Sequence, residues 1–293
     1  MKLTVFTPTY NRKSMLQGLY DSILRSSENL DKSNTIEWLI INDGSSEDYS
    51  DAIKDLKETD NIKIHYIEQD NGGKHTAFNR AIDLATGESF VCIDDDDRLT
   101  ENAFKDMIEL IEKYEGLNYG AIVGRVVDES GALLGSDIEE GTVSNTVEIR
   151  DKYHHWGEPE VYYTNILKRY RFKVFPGERF LTEAFLFDDM SHDYPFVYVN
   201  NALMVKKYLK GGLTDNQLKI RVYSPMGTVE YYVKRYGYSC GLQKIKAAIN
   251  KVRFRFWLKD KESVKLNAID VLIYCIAFIM YKRDVAAMNR GAK

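Results

Sequence analysis

The sequence predicts an α/β fold on a mostly parallel central sheet, followed by a basic, mainly helical C-terminal extension. Three observations support this. Short β-branched apolar runs alternate with segments of helical period through about residue 127, the cadence of βαβ units. Polar, turn-forming loops close each of the first four apolar runs. The charge is also uneven: the net charge is −4, yet Lys234 to Lys293 holds 14 Lys/Arg against 4 Asp/Glu, leaving an acidic body with a basic tail.

The elements follow in order. Leu3–Phe6 predicts the first strand, and 14–26 a helix with Met15, Leu19 and Ile23 on one face. Trp38–Ile41 predicts the second strand, and Glu47–Lys57 a helix opened by a Ser45-x-x-Asp48 capping box. Strands at Ile62–Ile67, Phe90–Ile93 and Ala121–Val127 alternate with helices at Lys74–Ala85 and Glu101–Tyr114, the latter capped by Thr100. Beyond Asp128 the pattern loosens around Gly131, Gly135 and Gly141 and the run Tyr153-His154-His155-Trp156, and it resumes near Val161. Residues 228–260 read as basic helix interleaved with Tyr231, Tyr232, Phe254, Phe256 and Trp257. The apolar stretch Ile269–Tyr281 is shorter than the ~20 residues a bilayer crossing needs. The predicted organisation is one domain over 1–215, in halves 1–127 and 128–215, followed by a helical region over 216–293.

Composition narrows the class. With 44% hydrophobic and 29% charged residues, the chain matches ordinary globular proteins rather than disordered or fibrous ones. Cys92, Cys240 and Cys275 are widely spaced and odd in number, which supports neither a disulfide framework nor a zinc ribbon. The opening Met1 to Pro8 lacks the apolar core of a signal peptide, so a reducing, cytoplasmic location is expected.

The densest chemical signal is Asp94-Asp95-Asp96-Asp97, directly after an apolar strand. Adjacent carboxylates repel, which is tolerable on a solvated loop and useful around a hard divalent cation. In open α/β sheets, ligands bind in the crevice beyond the carboxyl ends of strands, where this run falls. An EF-hand loop does not fit, because Arg98 and Leu99 stand where a ligand and Gly are required. Arg98 likewise breaks the pattern of a haloacid-dehalogenase-type phosphohydrolase. Gly73-Lys74 is not a P-loop, with Glu68 and His75 at the wrong positions, and no Gly-x-Gly-x-x-Gly follows the first strand.

Three more loops lie at strand ends: Thr7-Pro8-Thr9-Tyr10-Asn11-Arg12, Asn42-Asp43-Gly44-Ser45-Ser46 and Gln69-Asp70-Asn71-Gly72-Gly73-Lys74-His75. Together with Asp94-x-Asp96-Asp97, and in this order, they resemble the family 2 glycosyltransferases, inverting enzymes of the GT-A fold. The resemblance covers residues 3–127. It implies that Thr7, Thr9, Tyr10 and Asn11 line a nucleotide pocket, with Asp43 accepting hydrogen bonds from base or ribose. Asn71, Lys74 and Arg80 are implied at the diphosphate or base edge, and Asp94 and Asp95 at the ribose and donor. It further implies that Asp96 binds Mn²⁺ or Mg²⁺.

Inversion in one step needs a base for the acceptor hydroxyl. The segment Phe175 to Glu183 resembles the one preceding that base in a bacterial subgroup, which implies Glu183, with Glu178, Asp188 and Asp189 as rivals. Tyr208 to Thr214 resembles the end of the catalytic domain in the same subgroup. His154, His155, Trp156, Tyr162 and Tyr163 are candidates for stacking on an acceptor sugar, and His192 for a metal ligand. The expected activity is metal-dependent transfer from a nucleotide sugar, a UDP sugar by resemblance, to a glycan or lipid-linked acceptor in surface polysaccharide synthesis. A non-catalytic nucleotide-sugar-binding module and a nucleotidyltransferase are the alternatives. The basic tail suits an anionic membrane surface through residues 234–281, or else packs a buried helix against the catalytic core. Nucleic acid is disfavoured, because the acidic body would repel phosphate.

Overall fold

The computed structural model describes residues 1–154, 159–206 and 216–290. The described elements run β1 (Lys2–Thr9), α1 (Lys13–Ser27), β2 (Thr35–Asn42), α2 (Ser50–Asp55), β3 (Ile62–Glu68), α3 (Lys74–Leu84), β4 (Ser89–Cys92), β5 (Arg98–Leu99), α4 (Ala103–Lys113) and β6 (Ala121–Val127). They continue with β7 (Leu133–Leu134), β8 (Thr142–Ser144), α5 (Thr146–Tyr153), β9 (Glu160–Tyr163), α6 (Thr164–Leu167), α7 (Ala184–Asp193) and β10 (Phe196–Val205). Five helices close the chain: α8 (Gln217–Tyr223), α9 (Pro225–Tyr238), α10 (Gly241–Arg255), α11 (Ala268–Leu272) and α12 (Tyr274–Arg290).

The sheet order is β3-β2-β1-β4-β9-β6-β10-β5. β1, β2, β3 and β4 pair in parallel, as do β6 and β10, while β9 runs antiparallel between β4 and β6. The predicted mostly parallel sheet is therefore interrupted by β9, and the short strands β5, β7 and β8 also pair antiparallel. Strands 1, 2 and 4 are buried on both faces, which is why they read as continuous apolar runs rather than alternating ones. Trp38, Val5, Ile40 and Val91 build the core on one side with Leu16, Leu19 and Ile23 of α1 and Phe104 and Met107 of α4.

Two helix starts differ from the sequence expectation. α2 begins at Ser50, where Asp48 accepts the Ser50 backbone N–H at 2.8 Å, while the Ser45 hydroxyl accepts the Asn11 N–H at 2.8 Å. The capping box does not form, because Ser45 is engaged between loops. α4 begins after Asn102, and the Thr100 hydroxyl instead donates to the Ala202 carbonyl of β10 at 2.7 Å.

The chain divides into two compact units, Met1–Arg171 with Leu186–Tyr208, and Phe172–Phe185 with Leu209–Lys293. The segment Phe172–Phe185, expected within the first domain, thus groups with the C-terminal helices. The physical reason lies in Glu178, whose carboxylate accepts the Met226 and Gly227 N–H groups at 2.7 and 2.8 Å and so caps the start of α9. Lys173 pairs with Glu230 at 2.8 Å in the same unit.

The basic tail is not one solvated face. Lys251 and Arg253 turn inward onto Asp270 and Asp284, Arg235 is buried, and the Lys234 ammonium lies 3.5 Å from the centre of the Phe185 ring. In the stretch 269–281, only Asp270, Ile273 and Ala277 are buried, so this is a surface helix pair rather than a buried plug. Among the described residues, no helix is long and apolar enough to cross a membrane.

Candidate functional site

The C-terminal ends of the parallel strands gather the site. β1 ends at Thr9, β2 at Asn42, β3 at Glu68 and β4 at Cys92, and the loops beyond them interlock through side chains. Asn11, with φ +52, takes the left-handed conformation that Asn tolerates, and its side-chain oxygen accepts the Ser46 N–H at 2.8 Å. The β1 and β2 loops are thereby stapled together.

Asp43 is buried, and its carboxylate organises the next loop. One oxygen accepts Gln69 Nε2 at 2.8 Å and the Gly72 N–H at 3.0 Å, and the other accepts the Gly73 N–H at 2.8 Å. Gly44, at φ +70, lies so close beneath this loop that a Cβ would come within 2.6 Å of the Asn71 nitrogen. Only glycine fits there. Asp43 therefore shapes the Asn71–Lys74 turn, most of its acceptor capacity being engaged within the protein.

The four aspartates separate into distinct roles. Asp94 pairs with Lys74, the first residue of α3, at 2.6 Å. Asp95 is buried and accepts the Thr9 hydroxyl at 2.8 Å and Arg12 Nη1 at 3.2 Å. Asp96 remains 25% exposed at its side chain and meets Arg12 at 3.0 Å. Asp97 is buried and faces Lys206, the residue after β10, at 3.5 Å. The run turns at Asp95-Asp96, the Asp97 N–H donating to the Asp94 carbonyl at 3.0 Å, and this turn buries Asp95 and Asp97 while Asp94 and Asp96 reach solvent.

Electrostatics follow from the placement. Burial, joined by repulsion from Asp96 and opposed by Thr9 and Arg12, pushes the Asp95 carboxyl up to about 6. Burial, with Asp94 and Asp96 nearby and only Lys206 and Lys74 opposing, pushes Asp97 up to about 7. For Asp94 burial acts upward, yet Lys74, with Lys206 and Arg12, holds it below the usual carboxylate range. Burial disfavours the charge on Arg12, but Asp96 and then Asp95 keep its pKa above the ordinary value. The loop thus holds graded acidities at closely spaced positions.

The donor set fits a hard cation in character, being all oxygen. Among the described residues, no group of three or more His, Cys, Asp or Glu side chains converges to hold a metal. Mg²⁺ and Mn²⁺ are held by one or two carboxylates with substrate phosphates and water completing the shell. Asp96, the residue the resemblance assigns to a cation, is 25% exposed at its side chain and pairs with Arg12.

The structure brings Thr9, Asn11, Asp43, Asn71, Lys74, Asp94, Asp95 and Asp96 into one set of interlocking loops, with the Tyr10 ring exposed beside them. Thr7 and Arg80 lie apart from this set. Thr7 is fully buried, its hydroxyl accepting the Trp38 indole N–H at 2.9 Å, because it still lies inside the sheet and only Thr9 ends the strand. Arg80 donates to the Glu68 carbonyl at 2.7 Å, tying α3 to the end of β3.

The candidate bases also separate. Asp188 is sealed in the interior, accepting the Thr146 hydroxyl at 2.7 Å and pairing with Arg150, so its carboxylate is withdrawn from any acceptor. Glu178 is the helix cap described above. Glu183 is exposed immediately before α7, and Asp189 is half-buried on it. Tyr162 is core, stacked on Phe187 at 5.0 Å, and Tyr163 donates to the Ile111 carbonyl. His155, Trp156 and the 208–214 segment lie outside the described residues, and His192 joins no metal-binding group among them.

Arg12 and Lys206 were missed from sequence. Arg12 stood inside the first loop motif, where a cation two residues past an exposed Tyr at a strand end was the available signal. Lys206 had none, because its approach depends on β10 pairing with β6.

The family model for glycosyl transferase family 2 matches residues 4–176. The chain belongs to this family. A curated relative, the GalNAc(5)-diNAcBac-PP-undecaprenol β-1,3-glucosyltransferase of Campylobacter jejuni, is 30% identical over 156 residues, 52% of this chain and 46% of that protein. The chain spans less than half the length of the first curated relatives it matches. Among solved structures, Staphylococcus aureus TarS 1–349 in complex with UDP-GlcNAc superposes with a TM-score of 0.60 at 16% identity, over 97% of this chain and 92% of that one. The Pyrobaculum calidifontis mannosyltransferase PcManGT, in complex with GDP-Man and Mn²⁺, gives 0.54 at 16% identity, over 99% and 84%. The fold of this family 2 member is of the GT-A type.

Proposed function

We propose that this chain transfers a sugar from a nucleotide donor, a UDP sugar, to a glycan or lipid-linked acceptor, with inversion and with Mn²⁺ or Mg²⁺, in surface polysaccharide synthesis. The observation that carries the reading is the division of the aspartate run at the end of β4. Asp95 and Asp97 anchor the loop inward while Asp94 and Asp96 reach solvent beside Lys74 and Arg12. The printed names of the relatives fit it: the Campylobacter protein acts on an undecaprenol-linked glycan, and TarS and PcManGT are seen with UDP-GlcNAc and with GDP-Man and Mn²⁺.

Within this reading, Tyr10 offers an exposed aromatic face for the base, and Asp43 holds the Gly72-Gly73 turn that sets the start of α3. That helix N-terminus and Lys74 favour negative charge near Asp94. The cation, when bound through Asp96, supplies Lewis-acid neutralisation of the departing diphosphate. Arg12, paired with Asp96 at 3.0 Å, holds a positive charge beside that carboxylate. Glu183, with Asp189 as its alternative, takes the acceptor proton.

The test is a screen of UDP and GDP sugars for donor hydrolysis with and without Mn²⁺, paired with calorimetry of UDP and GDP. Metal-dependent hydrolysis of one donor class, lost in Asp96→Ala, is expected. Tight nucleotide binding without hydrolysis or transfer would make the chain a binding module, and formation of a nucleotide sugar from an NTP and a sugar 1-phosphate, with release of pyrophosphate, would make it a nucleotidyltransferase.

A further inference from the structure

The helices α11 and α12 present two unlike faces. Ile273, Ala277 and Asp284 form the inner stripe, the first two packing with Ala248 and Val252 of α10. Both carboxylates of 268–290 point inward. Asp270 accepts Lys251 Nζ at 2.5 Å and closes a capping box with Asn267, and Asp284 accepts Arg253 at 2.5 and 2.6 Å. Each negative charge is thereby neutralised inside the fold.

Leu272 at the end of α11 leads into an outer stripe on α12, where Ile276, Ile279 and Arg283 follow at spacings of three and four and Arg290 lies two turns further on. Leu272 is 83% exposed, Val271 64%, Ile279 60% and Ile276 52%. Lys282 and Arg283 follow directly on the same helix, and Arg290 ends it. Single exposed aliphatics are common on any surface, but a contiguous set rimmed by one sign of charge marks an interaction site. Behind the set, the Phe256 ring lies 5.2 Å from Tyr274, 5.5 Å from Phe278 and 5.1 Å from Tyr281. Tyr274 and Phe278 are themselves exposed beside the aliphatics.

We infer that the outer face of α11 and α12 docks on an anionic membrane surface. Val271, Leu272, Ile276 and Ile279 would enter the boundary between headgroups and acyl chains, and Lys282, Arg283 and Arg290 would pair with anionic headgroups. A helix with an apolar face and a cationic flank lies in the interface plane rather than spanning it. Charge selects this occupant over a second copy of the chain. A two-fold contact would bury the apolar residues but leave Lys282, Arg283 and Arg290 unanswered, since the outer face of 268–290 carries no carboxylate. An anionic lipid surface answers the apolar and the cationic halves together. The inference does not depend on the sugar-transfer reading, and each can fail without the other.

Co-sedimentation of the full chain with phosphatidylcholine vesicles, with and without phosphatidylglycerol, tests it. Binding should require phosphatidylglycerol and weaken with salt, each cation contributing about fivefold in partitioning. Ile276→Asp with Ile279→Asp should lower binding at least tenfold, as should Lys282→Glu with Arg283→Glu, both with unchanged thermal melting because the sites are exposed. Recovery in the supernatant with both vesicle types at low salt would overturn the inference, as would binding that survives both double variants. A dimer in sedimentation velocity that Leu272→Asp dissociates, with no vesicle binding, would assign the face to a second copy instead.

Discussion

Glu37 offers the cleanest test of how the sheet is held, because its perturbation separates stability from the site. It lies on β2, opposite Thr4 of β1, toward the N-terminal end of the strands and so away from the aspartate loop. Its buried carboxylate accepts the Thr86 N–H at 2.8 Å, the Thr86 hydroxyl and the Thr4 hydroxyl at 2.7 Å, and it pairs with Lys2 at 3.1 Å. Burial alone would raise its pKa, but the Thr86, Thr4 and Lys2 contacts together hold it at about 2. The folded value lies below the unfolded one, so the carboxylate contributes stability that is present above about pH 4.5 and lost as pH falls toward 2. The full shift would correspond to roughly 3 kcal/mol. Because the Lys2 partner is 39% exposed and screened, about 2 kcal/mol is the better expectation. Glu37→Gln leaves at least one of these donors facing an amide N–H₂. At pH 7 it should lower stability by about 2 kcal/mol, or ~4–8 °C in melting temperature. By pH 3 the difference should shrink to less than half. Urea unfolding of both proteins at the two pH values measures it, with nucleotide affinity as the control. A destabilisation equal at pH 3 and pH 7 would show that the charge of Glu37 is not what ties β1, β2 and the α3–β4 connection together.

Three further outcomes follow from the site. Asp96→Ala should abolish transfer and metal-dependent donor hydrolysis with stability held or raised, as like-charge repulsion is relieved; turnover at the wild-type rate without added cation would refute the metal assignment. Glu183→Gln should lower kcat by ~10²–10⁴-fold with donor affinity nearly unchanged. Full activity there, with collapse in Asp189→Asn, would move the role to Asp189. Burial keeps the folded pKa of Asp97 above its unfolded value, so the metal-free protein should lose stability as pH rises from about 4 toward 7. Asp97→Asn should flatten that slope, and melting curves from pH 4 to pH 8 that remain parallel would show otherwise.

Much of the first half was legible in advance. Ile62–Ile67 and Ala121–Val127 read as strands and are strands, within a residue, because an apolar β-branched run between turn signals has few other stable environments. The four loop motifs read as a set, and they do meet at adjacent strand ends. The roles of their members were less visible. Asp43 and Thr9 were expected to face a ligand, and in the fold they hold the Gly72-Gly73 turn and Asp95. A short polar side chain at a strand end serves either purpose equally well from its chemistry alone. Asp188 and Asp189 are adjacent in sequence, and only the pitch of α7 sends the first to Arg150 in the interior and leaves the second half-exposed.

The sequence by itself determined the α/β class, the order of the motif loops and the sign of the charge in the body and in the tail, because these depend on local period and composition. The tertiary structure decided which charges remain available. Lys206 reaches Asp97 only because β10 pairs with β6, Glu37 is buried only because Thr86 returns above it, and Asp270 and Asp284 are hidden only because α10 supplies Lys251 and Arg253. Each is a contact between residues far apart in the chain, where the free energy of a charge is set by its burial and its partner rather than by its neighbours in sequence.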